Sequence, residues 1–142
     1  MDASPVGVAK ALRLAESRGV ELTARVEDLN DWTIPPSAWE GIVSIFCHLP
    51  PALRGRVHAG VVEGLVPGGI FVLESYAVRQ LEFGTGGPSS ADMLLTPELA
   101  REELSGLEFL HLEELERDVQ EGTFHQGRSA VVQVVARKPV TP

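Results

Sequence analysis

The sequence predicts an α/β layer fold whose mixed sheet closes with a C-terminal antiparallel hairpin, and three features predict it. Short apolar runs at residues 41–46 and 70–73 have the length and β-branched content of strands buried on both faces. Around them, apolar residues recur at helical spacing, with glycine and proline marking the joints. A strand around residues 109–119, a turn and the apolar stretch 130–136 read as a terminal hairpin. Strands alternating with helices demand crossover connections, hence parallel neighbours, before the hairpin adds its antiparallel part.

The first helix opens at Ser4-Pro5, with Ser4 as N-cap and Pro5 in the first helical position. Val8, Ala11, Leu12 and Ala15 share one face, and Gly19 supplies the stop. Residues 22–26 alternate, with Leu22, Ala24 and Val26 on one side, and predict a strand; residues 30–38, with Pro35 and Pro36, predict a loop. After the 41–46 strand a helix is expected over residues 51–65, with Leu53, Val57, Val61 and Leu65 on one face. Gly55, Gly60 and Gly64 weaken that helix by propensity, so packing has to hold it.

Pro67-Gly68-Gly69 then turns into the strand 70–73. Residues 76–95 show no periodicity, and a segment of that length in a compact domain is functional or disordered. Thr96-Pro97-Glu98 starts a further helix ending near Ser105-Gly106, and a turn over residues 121–127 joins the last two strands. The apolar continuity of the central strands predicts helices on both sheet faces.

A chain of 142 residues is one domain's worth, so a single domain over 1–142 is expected. Twenty acidic residues against 12 basic ones give a net charge of −8, and the arginines and lysines form no stripe that would follow a phosphate backbone. Nucleic acid is therefore not an expected partner. Cys47 is the only cysteine, which excludes an intramolecular disulfide and fits a reducing compartment. No apolar run reaches bilayer length and nothing at Met1 resembles a signal peptide, so no membrane association and a cytoplasmic location are expected.

The order of certain segments resembles the class I S-adenosylmethionine-dependent methyltransferases, in their tellurite-resistance and thiopurine-like branch. The matching pieces are Asp2-Ala3-Ser4-Pro5-Val6-Gly7, Asp28-Leu29, Trp39-Glu40-Gly41-Ile42-Val43, Phe46-Cys47-His48-Leu49 and Gly64-Leu65-Val66-Pro67-Gly68-Gly69. Gly84-Thr85-Gly86-Gly87-Pro88 and His125-Gln126-Gly127-Arg128-Ser129-Ala130 resemble later segments of the same branch. The resemblance implies a Rossmann-like methyltransferase fold, strand order 3-2-1-4-5-7-6 with strand 7 antiparallel. It also implies that Met1-Asp2 is the end of strand 2, with strand 1, its glycine-rich loop and most of strand 2 lacking: a partial domain. Gly84 to Gly87 follows a strand without opening a helix, so it is no substitute for that loop.

The resemblance further implies S-adenosylmethionine as cofactor and a small molecule as methyl acceptor. Asp2 matches the residue that accepts from the ribose hydroxyls, which suits a carboxylate; the plain alternative is a frayed terminal aspartate. Asp28 would accept from the adenine amino group with Leu29 against the ring, or Asp28 simply terminates a strand. Phe46 and Leu49 belong to the cofactor side. His48, at the carboxyl end of a buried strand where open α/β sheets place their ligands, is the candidate catalytic residue beside the transferred methyl group, or else a structural histidine capping the next helix. Tyr76 ends the next strand with Glu74 and Ser75 and would line the acceptor pocket. His125, in the hairpin around Phe124, would join it or be an exposed turn residue.

Ile45-Phe46-Cys47-His48 stands where relatives that methylate amino nitrogens carry Asn-Pro-Pro-Tyr, which argues against amide and base nitrogens as acceptors. Cys47 and His48, as neighbours in extended chain, point to opposite sides and form no nucleophile–base pair, so Cys47 is expected to be buried and inert. The histidines lack zinc-ligand spacing and no Gly-x-Ser-x-Gly elbow surrounds Ser44, so neither a metal site nor a hydrolase is expected. In the implied strand order the absence of strands 1 and 2 bares an apolar edge of strand 4, to be covered by strand 3 moving across, by a second copy of the chain or by the missing piece supplied separately, so self-association through that edge or marginal stability in isolation is expected.

Overall fold

Ser4 starts the first helix as its sequence demands: Ser4 Oγ accepts the Gly7 N–H at 3.1 Å, and Pro5 occupies the first turn. This computed structural model describes residues 1–122 and 125–140. The helix, α1 (Pro5–Arg18), ends at Gly19 with φ 63°, the left-handed stop expected there. Val8 and Ala15 are its buried residues, while Leu12 stays exposed. The chain divides into two units, residues 1–33 and residues 34–142.

In the first unit, the strand expected over residues 22–26 does not form. Only Val26 takes part in β pairing, through an isolated parallel bridge to Asp2. The Asp2 N–H donates to Arg25 O and the Glu27 N–H donates to Asp2 O, both at 3.2 Å. A strand needs a neighbour along its length, and the chain leaves the bridge at once for α1, so the alternating pattern of Leu22, Ala24 and Val26 has nothing to pair with.

The second unit holds a four-stranded sheet of β1 (Trp39–Ile45), β2 (Leu65–Tyr76), β3 (Glu108–Gln120) and β4 (Gln126–Arg137), in the order β1-β2-β4-β3. β1 and β2 are parallel, and β4 runs antiparallel to both β2 and β3. This is the 4-5-7-6 part of the order implied by the resemblance, with the antiparallel strand in its expected place. The hairpin β3–β4 is as expected, although Thr123 and Phe124 at its tip lie outside the described residues. The Pro67-Gly68-Gly69 turn is present as an irregularity within β2: Trp39 pairs with Leu65 but Gly41 with Ile70, and Gly68 has φ 83°.

The two helices of this unit, α2 (Pro51–Gly64) and α3 (Pro97–Glu103), pack on one face of the sheet, not on both. Val61, Ala100 and Leu104 meet Phe71 and Leu73 of β2 and Val132, Val134 and Ala136 of β4. Both crossovers advance in the same direction across the sheet, and right-handed connections then place both helices on the same side. Consequently β1 is not the doubly buried strand its apolar run suggests. Val43 is 68% exposed and Ile45 49% exposed, because β1 is the edge of this sheet and they point away from α2 and α3.

The buried side of α2 is also rotated from the expected stripe: Arg54, His58, Val61 and Gly64 are buried. Arg54 Nε lies 3.1 Å from both carboxylate oxygens of Glu103 in α3, and Arg54 Nη1 donates to Asp92 O at 2.6 Å. His58 Nδ1 reaches Glu103 Oε2 at 2.6 Å. Polar burial is tolerated there because each group has a partner. Gly64 is needed despite its poor helix propensity, since a side chain there would run into Ile34 Cγ2.

Candidate functional site

The carboxyl ends of β1 and β2 gather four rings, and a strained residue starts the cluster. Phe46 follows β1 with φ 50°, a left-handed conformation that costs a non-glycine residue roughly 1–2 kcal/mol. It is held there by its N–H, which donates to Glu74 O at 2.8 Å, and by its ring, 4.7 Å from the Tyr76 ring centroid. This reversal ends the strand and delivers Cys47 and His48 above the sheet edge. Cys47 is exposed, contrary to the buried position expected, because the chain has already left the sheet.

His48 stacks on Tyr76, with centroids 5.3 Å apart and planes 9° from parallel. Its Nε2 accepts the Tyr76 backbone N–H at 3.2 Å. That bond requires a lone pair on Nε2, so the ring is neutral with its proton on Nδ1. The pKa agrees: burial, reinforced by His125, lowers it to about 4 against an opposing hydrogen bond to the Phe46 backbone. His125, at the start of β4, completes the group; its Nδ1 lies 3.2 Å from the Tyr76 hydroxyl, and the two rings are 7° from parallel. The expected members Phe46, His48, Tyr76 and His125 are therefore brought together, while Leu49 is half-buried in the loop leading to α2.

Tyr76 itself is fully buried, so its ring forms the floor of the group and is not an exposed pocket wall. Burial pushes its phenol pKa up. It is closed on another side by Gly87, where a Cβ would sit 2.6 Å from Tyr76 Cδ2. Beneath it, Glu74 is buried between Gln133, whose Nε2 donates to it at 2.6 Å, and Arg117, whose guanidinium pairs with it through Nε and Nη2.

Residues 76–95, expected to be functional or disordered, are ordered by a side chain that sequence reasoning missed. Gln80 is buried in a 3₁₀ turn, Val78–Glu82. Its Nε2 donates to Thr85 Oγ1 at 2.9 Å and Gly86 O at 3.1 Å, and its Oε1 accepts the Ala130 N–H at 2.9 Å. Thr85 Oγ1 also lies 2.9 Å from Ser129 Oγ. The only sequence signal was that Gly84–Gly87 and Arg128–Ala130 stood out separately; that they meet was not legible.

In the first unit, Asp2 and Asp28 are exposed and Leu29 half-buried. Asp2 Oδ1 accepts the Ser4 N–H at 2.7 Å. Asp28 Oδ1 accepts both the backbone N–H and the side-chain amide of Asn30, at 2.8 and 3.0 Å, while the Asp28 carbonyl accepts from Asp31 and Trp32. An open depression of about 540 Å³ lies on the hairpin, lined by Asp118, Val119, Gln120, Gln126 and Gly127; Val119 packs in one cluster with Tyr76 and Phe46. Among the described residues no group of three His, Cys, Asp or Glu side chains is arranged to hold a metal, and no helix is long and apolar enough to cross a membrane.

Solved structures share this architecture along nearly the whole chain. A SAM-dependent methyltransferase from Methanosarcina mazei matches with TM-score 0.70 at 16% identity, over 99% of this chain and 81% of that one. TehB from Haemophilus influenzae matches with TM-score 0.73 at 15% identity, over 96% of this chain and 48% of that one. The N-methyltransferase NodS from Bradyrhizobium japonicum WM9, in complex with S-adenosyl-L-homocysteine, gives 0.68 at 15% identity, over 97% of this chain and 64% of that one. The fold is the Rossmann-like methyltransferase fold. At these identities the likeness is one of fold, and the chain spans between about half and four-fifths of the lengths of these structures. No protein-family model matches the sequence, and no curated protein matches it.

Proposed function

We propose that this chain serves S-adenosylmethionine-dependent methyl transfer to a small-molecule acceptor, in the tellurite-resistance and thiopurine-like branch, and that the 142 residues alone transfer methyl groups weakly or not at all. One observation carries the reading. The strand order β1-β2-β4-β3, with β4 antiparallel, collects Phe46, His48, Tyr76 and His125 at the carboxyl ends of β1 and β2, where open α/β sheets bind ligands.

By the resemblance, the adenosine part of the cofactor falls to residues of this chain. The Asp2 and Asp28 carboxylates are acceptors for ribose hydroxyls and an adenine amine, with Leu29 offering an apolar surface, and Phe46 and Leu49 are assigned to the cofactor side. Among the described residues no glycine-rich turn joins a strand to a helix, so none is assigned to the methionine part. When bound, the sulfonium supplies an electrophilic methyl group, and its in-line displacement asks the protein for positioning and desolvation. His48 is the candidate at the acceptor, acting by position: its Nε2 lone pair is committed to the Tyr76 N–H, so it holds the end of β2 and presents a neutral ring. His125, half-buried and joined to Tyr76, is the acceptor-side residue open to a substrate.

A second reading, a non-catalytic truncated remnant that binds a nucleoside or a partner protein, is favoured by the exposed β1 edge and the lack of a glycine loop. Calorimetric titration with S-adenosylmethionine and S-adenosylhomocysteine separates the readings. A complete site of micromolar strength corresponds to about −8 kcal/mol, and half of it leaves about −4 kcal/mol, near millimolar affinity. Binding should therefore be near millimolar in this chain and tighten when a strand and glycine loop are added ahead of Met1, with methyl transfer appearing. Low-micromolar binding by the chain alone contradicts the incomplete site; restored binding without any transfer favours the remnant.

A further inference from the structure

The two imidazoles of the ring cluster differ in what their nitrogens have left to do. In His48 both are committed: Nε2 accepts the Tyr76 N–H at 3.2 Å, and the remaining ring N–H serves the Phe46 backbone. In His125 only Nδ1 is engaged, 3.2 Å from the Tyr76 hydroxyl. Its Nε2 has no partner among the described residues, and the residue is half-buried.

Proton counting along the hydroxyls beside Tyr76 sets the tautomer of His125. Thr85 Oγ1 donates to Arg128 O at 2.9 Å and accepts from Gln80 Nε2 at 2.9 Å, so its one proton is placed. Ser129 Oγ lies 2.9 Å from Thr85 Oγ1 and 3.2 Å from Gly127 O, and its proton goes to one of these two acceptors. The Ser129 lone pairs stay open to the Tyr76 O–H, to which Ser129 is hydrogen-bonded. With its own proton directed to Ser129, the Tyr76 oxygen accepts from His125 Nδ1–H. A neutral imidazole carries one proton, so the lone pair is then on Nε2. Burial raises the phenol pKa, so Tyr76 stays protonated and the chain of donors keeps this direction.

An imidazole with a free lone pair, oriented by a buried phenol, is equipped to take a proton near neutral pH. Chemistry decides which proton it suits. An amine attacks an electrophile with the lone pair it already has. A thiol, with an ordinary pKa of about 8.5, supplies some thiolate unaided, and thiolate is a strong nucleophile. A phenol-like hydroxyl, at about 10, is a poor nucleophile until it loses its proton. We propose that His125 Nε2 receives the proton of an acidic hydroxyl, phenolic or enolic, on a small molecule bound at the ring cluster, with Tyr76 as the positioning residue. That this molecule is the methyl acceptor rests on the proposed function. In that reaction the proton passes to Nε2, and the electron pair left on oxygen forms the bond to the methyl carbon. The carbon–sulfur pair returns to sulfur, and the imidazolium gives its proton to water.

The test uses the full chain and 4-nitrophenol, whose anion absorbs visible light, at a pH where the free probe is protonated. Long-range nitrogen–proton spectra should first show His125 with its proton on Nδ1. Tyr76→Phe keeps the ring, removes the oxygen and should mix the two tautomers. Binding should then raise the ionised fraction of the probe roughly tenfold or more, one pKa unit, as His125 becomes imidazolium. His125→Gln should bind the probe without ionising it, and Tyr76→Phe should ionise it less. Three results overturn the inference: a proton on Nε2 of His125 in the free chain, a saturating probe that leaves the His125 resonances unmoved, or equal ionisation in His125→Gln. S-adenosylhomocysteine is titrated separately. An ionised probe in a chain without affinity for S-adenosylhomocysteine, even with a strand and glycine loop added ahead of Met1, leaves the His125 site standing and counts against the proposed function. Affinity for S-adenosylhomocysteine with a probe that stays protonated does the reverse.

Discussion

The Tyr76 backbone N–H donates to Nε2 of His48 at 3.2 Å, across the carboxyl ends of β2 and β1. The bond can exist only while His48 is neutral, and it ties the protonation of one side chain to the closure of the ring cluster. Burial and the proximity of His125 lower the His48 pKa to about 4, below its ordinary value of 6.5. The unfolded chain therefore takes up this proton first as the pH falls. Stability should be full above about pH 6.5 and decline towards pH 4. His58, also lowered by burial, contributes with the same sign. His48→Gln retains an acceptor for the Tyr76 N–H and removes the titration, so urea unfolding between pH 4 and 7 should show a shallower slope. An unchanged slope would assign the whole effect to His58 and other groups.

Gly87 lies against Tyr76 with φ 90°, and a Cβ there would come within 2.6 Å of Tyr76 Cδ2. Gly84 also has a positive φ, 65°, but faces open space. Gly84→Ala should cost roughly 1 kcal/mol of backbone strain. Gly87→Ala adds the collision and should cost roughly 1–3 kcal/mol more, with the Tyr76–His48 stack displaced. Urea unfolding of both variants checks the difference, and equal losses would show that Tyr76 moves aside freely.

Helix ends were the most legible part of the fold, because caps are local. Ser4 and Gly19 bound α1, and Thr96 caps α3 by accepting the Leu99 N–H. Burial was less legible, because it depends on neighbours the pattern does not specify. The run Ile42-Val43-Ser44-Ile45 reads as a doubly buried strand, yet only Ile42 finds a packed core. Residues 22–26 alternate properly and still make only one bridge, since a strand is a relation between two segments. In α2 the hydrophobic pattern passed over Arg54 and His58, whose burial depends on Glu103, 49 and 45 residues away in sequence. At the candidate site, position along the strands was enough to nominate His48 and Tyr76, while their mutual hydrogen bond was not foreseeable from spacing.

The Arg54–Glu103–His58 cluster joins α2 to α3 and should behave as one unit. Arg54 and His58 are buried, and Glu103 is the carboxylate they share. Glu103→Gln keeps the shape but leaves the Arg54 guanidinium without its counter-charge, with Asp92 O as a remaining acceptor. A loss of roughly 3 kcal/mol is expected, the lower end for breaking one side of a buried pair. Adding Arg54→Met should recover part of it, because the unpaired charge goes too. If the double variant is as unstable as the sum of the single ones, the pair is not coupled.

Gln80 holds the segment after β2 to the start of β4, and its two ends can be separated by mutation. The carbonyl end satisfies the Ala130 N–H, while the amide end satisfies Thr85 Oγ1 and Gly86 O. Gln80→Ala removes both and leaves a buried backbone N–H without its partner, an expected cost of roughly 1–3 kcal/mol. Gln80→Glu in its ionised form keeps an acceptor for Ala130 and loses the donors, turning an attraction at Gly86 O into a repulsion between oxygens. Hydrogen exchange should therefore respond differently to the two changes. In Gln80→Glu, amides of residues 83–90 should exchange faster while Ala130 stays protected; in Gln80→Ala both should speed up. The distinction bears on function, because Gly87 of this segment covers Tyr76 and Tyr76 anchors His48. Release of the segment should reach the ring cluster as a change in the His48 imidazole resonances, and unaltered resonances in Gln80→Glu would show that the cluster stands without its cover.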